Sequence, residues 1–268
     1  MKALWVLLLQ SILLPVWAVT PQFEKKVFTA KSGNELLYRV LYPENYDASA
    51  KKKYPLVLFL HGGGERGTDN EKQLMHGAEQ FLNPVNREKY PAIVLFPQCP
   101  PEFYWALDSR PEKSLDNKAF PQNPPLSKIF VSVKELLDKF IADERVDTRR
   151  IYVVGLSMGG MGTFDMAARY PDLFAAAVPI CGGVYPERLA SAAKKVKFRI
   201  FHGDADGVVP VKNSREIYTY LKKAGADVEY IEFPGCNHGS WGPAFNRTDF
   251  MEWIFKQKKY CLLYTSPS

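Results

Sequence analysis

A serine stands between two glycines in the run GLSMG at 155–159, directly after the apolar segment IYVV. A serine on a sharp turn from a strand into a helix is held in a strained backbone conformation with its hydroxyl exposed. Side chains two residues before and two residues after it would collide with neighbouring backbone, so such a turn needs glycines. The pattern therefore predicts a nucleophile at Ser157.

A serine hydroxyl needs a general base, and that base needs a carboxylate to orient it. The chain has four histidines, of which His61 and His76 precede Ser157. For a serine on a strand-to-helix turn, the chain order is serine, acid, histidine. His202 lies before the acid candidates, so elimination leaves His238, in a glycine-flanked loop after the apolar segment VEYIEF.

The acid is expected in the segment HGDADGVVP at 202–210, which offers Asp204 and Asp206. The residues after Asp206, at 207–210, turn the chain back and aim that carboxylate inward. Asp206 is therefore favoured. Asp204 is the alternative, and otherwise a turn residue whose carboxylate bonds local backbone amides.

A glycine-rich loop, HGGGERG at 61–67, follows the apolar segment PLVLFL. Negative charge that develops on a reacting carbonyl oxygen needs preset N–H donors, and glycine lets backbone approach a substrate closely. Gly63 and the residue after the serine, Met158, are the expected donors. Glu65 and Arg66 are expected to pair with the scaffold. No GK[ST] follows, so a phosphate-binding loop is not favoured.

A long segment without periodicity, residues 98–124, is rich in proline and aromatic residues. Loops of this length inside a compact domain are usually functional or mobile. We expect it to form one wall of a substrate cleft, the alternative being an insertion without function. Its Phe103, Tyr104 and Trp105, together with Trp241, are expected to line a subsite there.

Short apolar runs alternate with helical patterns along most of the chain, as is typical of a mostly parallel sheet covered by helices on both faces. The predicted strands are 23–30, 36–42, 55–64, 92–98, 151–157, 174–183, 198–203 and 228–235. The predicted helices are 126–142, 158–170, 213–224 and 248–257. No repeat or linker divides the pattern, which indicates one α/β domain.

Composition and charge exclude several classes of protein and partner. With 46% hydrophobic and 24% charged residues, the chain is globular rather than disordered. Its net charge of +6 is spread along the sequence, without a basic stripe and stacking aromatics, so nucleic acid is not an expected partner. Cys99, Cys181 and Cys236 permit one disulfide in an oxidising compartment, and the sequence does not choose the pair. No metal-ligand spacing is present.

The two ends differ from the rest. Residues 1–18 combine an early lysine, an apolar stretch and a final alanine, as expected for a cleaved signal peptide of a periplasmic or secreted protein. A membrane anchor is the alternative, but the stretch is short for a bilayer span. Residues 261–268, CLLYTSPS, resemble a translated sequencing adapter. We therefore assign the catalytic domain to 19–260 and expect no stable membrane insertion.

The motifs LYRVLYPENY, HGGGERGTDN, FPQCP, GLSMGG, HGDADGVVP and NHGSW, in this order, resemble the secreted single-domain α/β-hydrolases. Within that group they resemble feruloyl and acetyl-xylan esterases, dienelactone-hydrolase-like proteins and prolyl-oligopeptidase-type peptidases. The resemblance covers about residues 28–255. It implies an α/β-hydrolase fold with eight strands and no large cap domain.

The resemblance also implies a catalytic triad of Ser157, Asp206 and His238, an oxyanion hole at Gly63 and Met158, and no cofactor. These residues predict a serine esterase that acts on a small-molecule or polysaccharide-linked ester. A serine peptidase is the nearest alternative, but it is disfavoured because the chain shows no accessory domain of the kind that peptidases of this type carry. A carbohydrate-binding protein without activity is the other alternative.

Overall fold

The computed structural model describes residues 23–111, 114–142 and 145–259. The predicted signal peptide at 1–18 and the predicted tail at 261–268 lie outside these residues. Within the described part of the chain, no helix combines the length and the apolar character that crossing a bilayer requires.

One sheet of eight strands forms the centre of the molecule, in the order β1-β2-β4-β3-β5-β6-β7-β8. The strands are β1 (Glu24–Thr29), β2 (Glu35–Leu41), β3 (Tyr54–Leu60), β4 (Ile93–Pro97), β5 (Val146–Leu156), β6 (Ala176–Ile180), β7 (Lys197–Gly203) and β8 (Val228–Phe233). The pairings of β1 with β2 and of β2 with β4 are antiparallel, and all later pairings are parallel. Each strand expected from the sequence is present.

Helices cover both faces of the sheet. They are α1 (Ala78–Leu82), α2 (Pro84–Lys89), α3 (Lys128–Ala142), α4 (Met158–Arg169), α5 (Lys212–Lys223), α6 (Trp241–Phe245) and α7 (Phe250–Phe255). The apolar stripes of α3, α4 and α5 pack on one face, and residues of α1, α6 and α7 pack on the other. The predicted two-sided α/β architecture is confirmed.

Several boundaries differ from the expectations: strand β3 ends at Leu60 rather than at 64, and β6 ends at Ile180 rather than at 183. Strand β5 begins at Val146, five residues before its predicted start, because the polar residues at 147–150 hide the extended segment. Helices α1, α2 and α6 are not predicted at all. Each has five or six residues, under two turns, which is too short to show a helical period.

The topology fixes where chemistry can occur. Strands β3 to β8 are all parallel, so their carboxyl ends lie at one edge of the sheet. The glycine-rich loop follows β3, and the GLSMG turn includes the last two residues of β5. The acid and histidine loops follow β7 and β8. Open α/β sheets bind their ligands at this edge.

Candidate active site

Ser157 joins β5 to α4 in a backbone conformation that is rare for a residue with a side chain, with φ 53° and ψ −117°. Its N–H donates to the carbonyl of Ile180 on the adjacent strand, at 2.8 Å. A Cβ at Gly159 would lie 1.9 Å from the carbonyl oxygen of Leu60, and one at Gly155 would lie 2.3 Å from that of Gly159. Both glycines are therefore required, for the steric reason that the sequence suggests.

The structure brings Ser157, His238 and Asp206 together. Nε2 of His238 lies 2.9 Å from Oγ of Ser157, and Nδ1 of the same ring lies 2.8 Å from Oδ2 of Asp206. Because a carboxylate only accepts hydrogen bonds, Nδ1 carries the hydrogen and Nε2 is free to accept from the serine hydroxyl. The array thus presents a hydroxyl to a base whose orientation is already fixed.

The side chain of Asp206 has no solvent exposure. Its Oδ1 accepts the backbone N–H groups of Val208 and Val209, at 2.8 and 2.9 Å. Burial alone would raise the pKa of this carboxyl. The contacts with His202 and His238 and the two backbone N–H groups outweigh burial and hold the pKa of Asp206 well below its ordinary value. Asp206 is therefore an anion at neutral pH.

Asp204, the alternative acid, lies elsewhere. Its Oδ1 accepts the backbone N–H of Gly235 at 2.6 Å, an exposed contact that ties the loop after β7 to the loop after β8. The expectation that this carboxylate bonds local backbone amides is not what this contact shows, because Gly235 lies 31 residues further along the chain. The structure places only Asp206 beside His238, because the 207–210 segment folds back over that carboxylate.

The glycine-rich loop lies against the GLSMG turn. A Cβ at Gly62 would lie 2.8 Å from a methyl carbon of Leu156, the residue before the serine. Met158 is the first residue of α4, and the first N–H groups of a helix have no partner within it. Arg66 donates to the carbonyl of Gly63 at 3.0 Å and to that of Pro101 at 2.8 Å, so it pairs with the scaffold as expected.

The aromatic residues separate into two groups. Trp105 is fully buried, and its indole N–H donates to the carbonyl of His61 at 3.0 Å. Tyr104 is 6% exposed, with the guanidinium of Arg66 5.8 Å from its ring centre. The expectation that Trp105 and Tyr104 line an open subsite is wrong, because the loop turns them into the core. Trp241 lies at the site, with its ring centre 5.5 Å from that of His238.

Two asparagines that no local sequence pattern marks anchor the 98–124 segment. The backbone N–H of Asn117 donates to Oδ1 of Asn213 at 3.0 Å, and the Asn117 amide donates to the Asn213 carbonyl at 3.0 Å. Asn213 in turn donates to the carbonyl of Leu115 at 2.6 Å. A reciprocal pair 96 residues apart leaves no local signal, so a sequence pattern does not reveal it.

The residues of the site are poorly suited to bind a metal ion. Cys181, Asp206 and His238 offer ligand atoms within 4.8 Å of one another. However, both ring nitrogens of His238 and both oxygens of Asp206 are engaged in the contacts given above. Burial raises the pKa of the Cys181 thiol to about 12, which opposes the thiolate that metals prefer.

The cysteines and the surface clefts add little to the site. Cys99, Cys181 and Cys236 are free thiols, so no disulfide joins cysteines in the described ranges. A cleft of about 500 Å³ beside α5 includes Tyr185 and Tyr220 but no residue of the Ser157–His238–Asp206 array. The hydrogen-bonded array, rather than the size of a cleft, therefore locates the site.

An eight-stranded, mostly parallel sheet with a serine, histidine and aspartate at its carboxyl edge defines an α/β hydrolase. The chain belongs to the phospholipase/carboxylesterase family, whose model matches residues 45–252. It is thus a carboxylesterase-type serine hydrolase.

Three known proteins illustrate the similarity. A thermostable esterase of known structure has a TM-score of 0.78 and 37% identity, and the match covers 88% of this chain and 63% of that one. Carboxylesterase SOBER1 of Arabidopsis thaliana is 26% identical over 200 residues, which are 68% of this chain and 82% of that protein. Poly(3-hydroxyalkanoate) depolymerase C of Paucimonas lemoignei is 49% identical over 55 residues, only 13% of its length.

Proposed function

We propose that this protein is an exported serine esterase that hydrolyses small carboxylic esters through an acyl-enzyme. One observation carries the proposal, the continuous array from the strained Ser157 through His238 to the buried Asp206 anion. Each distance in it is that of a formed hydrogen bond. Such an array activates a hydroxyl for attack on a carbonyl carbon.

The geometry gives each residue a role. Oγ of Ser157 attacks the ester carbonyl while Nε2 of His238 takes the hydroxyl proton. The same proton then goes to the alkoxide oxygen of the departing alcohol. The acyl group remains bound to Oγ of Ser157. Water, deprotonated by His238, attacks that acyl group, and the proton then passes from His238 to Oγ of Ser157 as the acid is released. Asp206 keeps Nδ1 protonated and stabilises the positive charge that forms on the ring.

The developing oxyanion needs donors that are already in place. The N–H of Met158, at the start of α4, and that of Gly63, in the adjacent glycine-rich loop, are the proposed pair. Arg66 holds the carbonyl of Gly63 and thereby fixes the loop. Loss of one such donor typically reduces kcat by about 100- to 1000-fold.

The substrate class and the export are supported by the sequence. Motifs resembling those of feruloyl and acetyl-xylan esterases favour an acetyl or feruloyl ester, carried by plant polysaccharide or by a similar small alcohol. The ring centre of Trp241 lies 5.5 Å from that of His238, so Trp241 offers an apolar surface for either the acyl group or the alcohol of the ester. The apolar segment within residues 1–18 favours a periplasmic or secreted location.

The test is a hydrolysis panel of acetyl, butyryl, octanoyl and feruloyl esters together with one peptide amide. Wild-type protein is expected to cleave the esters, with a burst of p-nitrophenol from p-nitrophenyl acetate as the acyl-enzyme accumulates. Ser157→Ala is expected to lose about a millionfold in kcat. Ser191→Ala, at an exposed serine remote from the array, is the matched control and should keep the wild-type rate.

The panel also decides between substrate classes. A preference for acetyl or feruloyl esters supports the proposed substrates, and preference for the amide would indicate a peptidase instead. No turnover of any compound by folded wild-type protein would contradict the esterase proposal. Ester turnover that survives Ser157→Ala would move the nucleophile elsewhere.

A further inference from the structure

A second histidine lies against the carboxylate of Asp206. His202 is on β7, has no exposed surface, and holds its Nε2 3.2 Å from Oδ2 of Asp206. The same nitrogen lies 3.0 Å from the carbonyl oxygen of Val209, and Nδ1 lies 2.7 Å from Oγ of Ser214 on α5. The proposed chemistry leaves this ring without a role.

The contacts of His202 fix where its hydrogen is. The Val209 carbonyl and the Asp206 carboxylate can only accept hydrogen bonds, so Nε2 must be the protonated nitrogen. The hydroxyl of Ser214 can donate to Nδ1, or accept from it if the ring is charged. In either state of the ring, the protonated nitrogen is therefore the one that is hydrogen-bonded to the Val209 carbonyl and lies 3.2 Å from Oδ2 of Asp206.

Oδ2 of Asp206 is shared by two histidines. His238 donates to it at 2.8 Å from the catalytic side, and the His202 N–H faces it from the interior. Oδ1 is held by the N–H groups of Val208 and Val209. A carboxylate with donors on both oxygens has little freedom to rotate, so Oδ2 stays directed at His238.

Another carboxylate near His202 is already neutralised. Glu232 on β8 is its register partner, but Arg215 binds Glu232 through two hydrogen bonds of 2.8 and 2.6 Å. Tyr230 also donates to Glu232. Asp206 is thus the carboxylate that Nε2 of His202 approaches, with His238 as the other titratable ring bound to it.

We propose that His202 is a positioning residue for the acyl transfer, which holds the Asp206 carboxylate in the orientation that His238 requires. The inference rests on the esterase function proposed above. His202 does not touch the substrate, because its side chain is fully buried behind the aspartate. Its contribution should therefore appear in kcat and in the pH profile, and not in substrate binding.

Two replacements separate this role from simple packing. In His202→Gln the side-chain amide nitrogen can occupy the position of Nε2 and donate toward Asp206. In His202→Asn the shorter side chain reaches only the position of Nδ1, which keeps the Ser214 contact and removes the donor. Both replace the ring by an amide, so they differ mainly in the contact to Asp206.

For His202→Asn we expect kcat on p-nitrophenyl acetate to fall about 10- to 100-fold, as for a lost hydrogen bond to a charged group. KM should stay within about two-fold, as expected when only the transition state loses stabilisation. The pH profile of kcat/KM should change as well, because the carboxylate that faces His238 has lost a neighbouring donor. His202→Gln should regain most of the lost kcat and the wild-type profile.

Equal losses in the two folded variants would overturn the positioning role and leave only packing. An unchanged rate and profile in His202→Asn would overturn it as well. In both cases the proposed esterase function would still hold if the wild-type protein hydrolyses esters and Ser157→Ala does not. Wild-type protein without ester turnover would contradict the esterase function itself, and the positioning role with it.

A measurement on the wild-type protein covers the case in which a variant does not fold. Nitrogen-15 NMR of histidine-labelled protein reports which ring nitrogen carries the hydrogen, and only four histidines need assignment. We expect His202 to be protonated at Nε2 from pH 6 to 8. An Nε2 without hydrogen in that range would contradict a donor facing Asp206.

Discussion

Two histidines are almost completely buried at the carboxyl edge of the sheet, and they differ in what surrounds them. His61 directly follows β3, and His202 is the penultimate residue of β7. Their exposed fractions are 1% and 0%. Equal burial would suggest equal behaviour, but their partners carry different charges.

The partners of His61 are neutral backbone groups. Its Nδ1 donates to the carbonyl of Gly62 at 2.7 Å, and its Nε2 accepts the N–H of Cys99 at 3.0 Å. Burial lowers the pKa of His61 to about 4, so this ring is uncharged at neutral pH. His61 thus joins the glycine-rich loop to the 98–124 segment.

His202 has the opposite tautomer and a charged neighbour. Its Nε2–H faces the Asp206 carboxylate, whereas His61 meets no charged partner among these hydrogen bonds. The difference teaches that burial by itself does not tell a structural histidine from one coupled to chemistry. The charge of the group that each ring nitrogen faces makes that distinction.

The largest expected effect is the loss of kcat when Asp206, in the loop after β7, is replaced. Asp206→Asn should lower kcat by about 10,000-fold with the fold intact, because an amide no longer fixes the required tautomer of His238. Asp204→Asn is the matched control on the same loop and should change kcat less than about five-fold. Steady-state hydrolysis of p-nitrophenyl acetate checks both, and the reverse ranking would make Asp204 the acid.

A substitution beside His61, next to β3, should lower the free energy of unfolding rather than kcat. Trp105→Ala removes a fully buried ring that lies 5.0 Å from the His61 ring, between centres, and should cost about 3–5 kcal/mol of unfolding free energy.

Trp241→Ala, at the partly exposed ring beside His238, should raise KM more than it lowers kcat. Urea unfolding and ester kinetics on both variants test this, and KM unchanged for every ester would exclude Trp241 from a subsite.

A smaller effect concerns the pH dependence of stability. His61 has a folded pKa of about 4 against an ordinary value of 6.5, so the unfolded chain binds its proton first as the pH falls. The stability that the neutral ring contributes is present above pH 6.5 and is lost on acidification toward pH 4. Between pH 6.5 and 5 this amounts to about 1.5 kcal/mol.

The check is the free energy of unfolding from urea titrations at pH 5, 6.5 and 7.5, for wild type and His61→Gln. The variant should be less stable at pH 7.5 and should lose less stability on acidification. Parallel pH curves for the two proteins would show that His61 does not titrate on unfolding.

The strands and the chemical residues were accessible to sequence analysis because each leaves a local signal. Buried parallel strands are continuous apolar runs, and the glycines around Ser157 are demanded by contacts as close as 1.9 Å. His238 followed from chain order alone. The bend that directs Asp206 inward was visible in the glycine and proline after it.

Other features depend on contacts between distant segments and leave no such signal. The Asn117–Asn213 pair and the approach of His202 to Asp206 arise only when loops meet in three dimensions. The prediction for Trp105 is wrong because a position in a loop does not by itself imply an exposed side chain. A buried carbonyl, that of His61, satisfies its indole N–H and allows it to enter the core.

The most direct test of the central claim is covalent labelling of the full-length protein with a fluorophosphonate, followed by intact-mass and peptide mass spectrometry. An activated serine should take up one equivalent of the probe, on the peptide that contains Ser157, and Ser157→Ala should take up none. Folded wild-type protein that stays unlabelled, or carries the adduct on another residue, would contradict the assignment of this array as the catalytic centre.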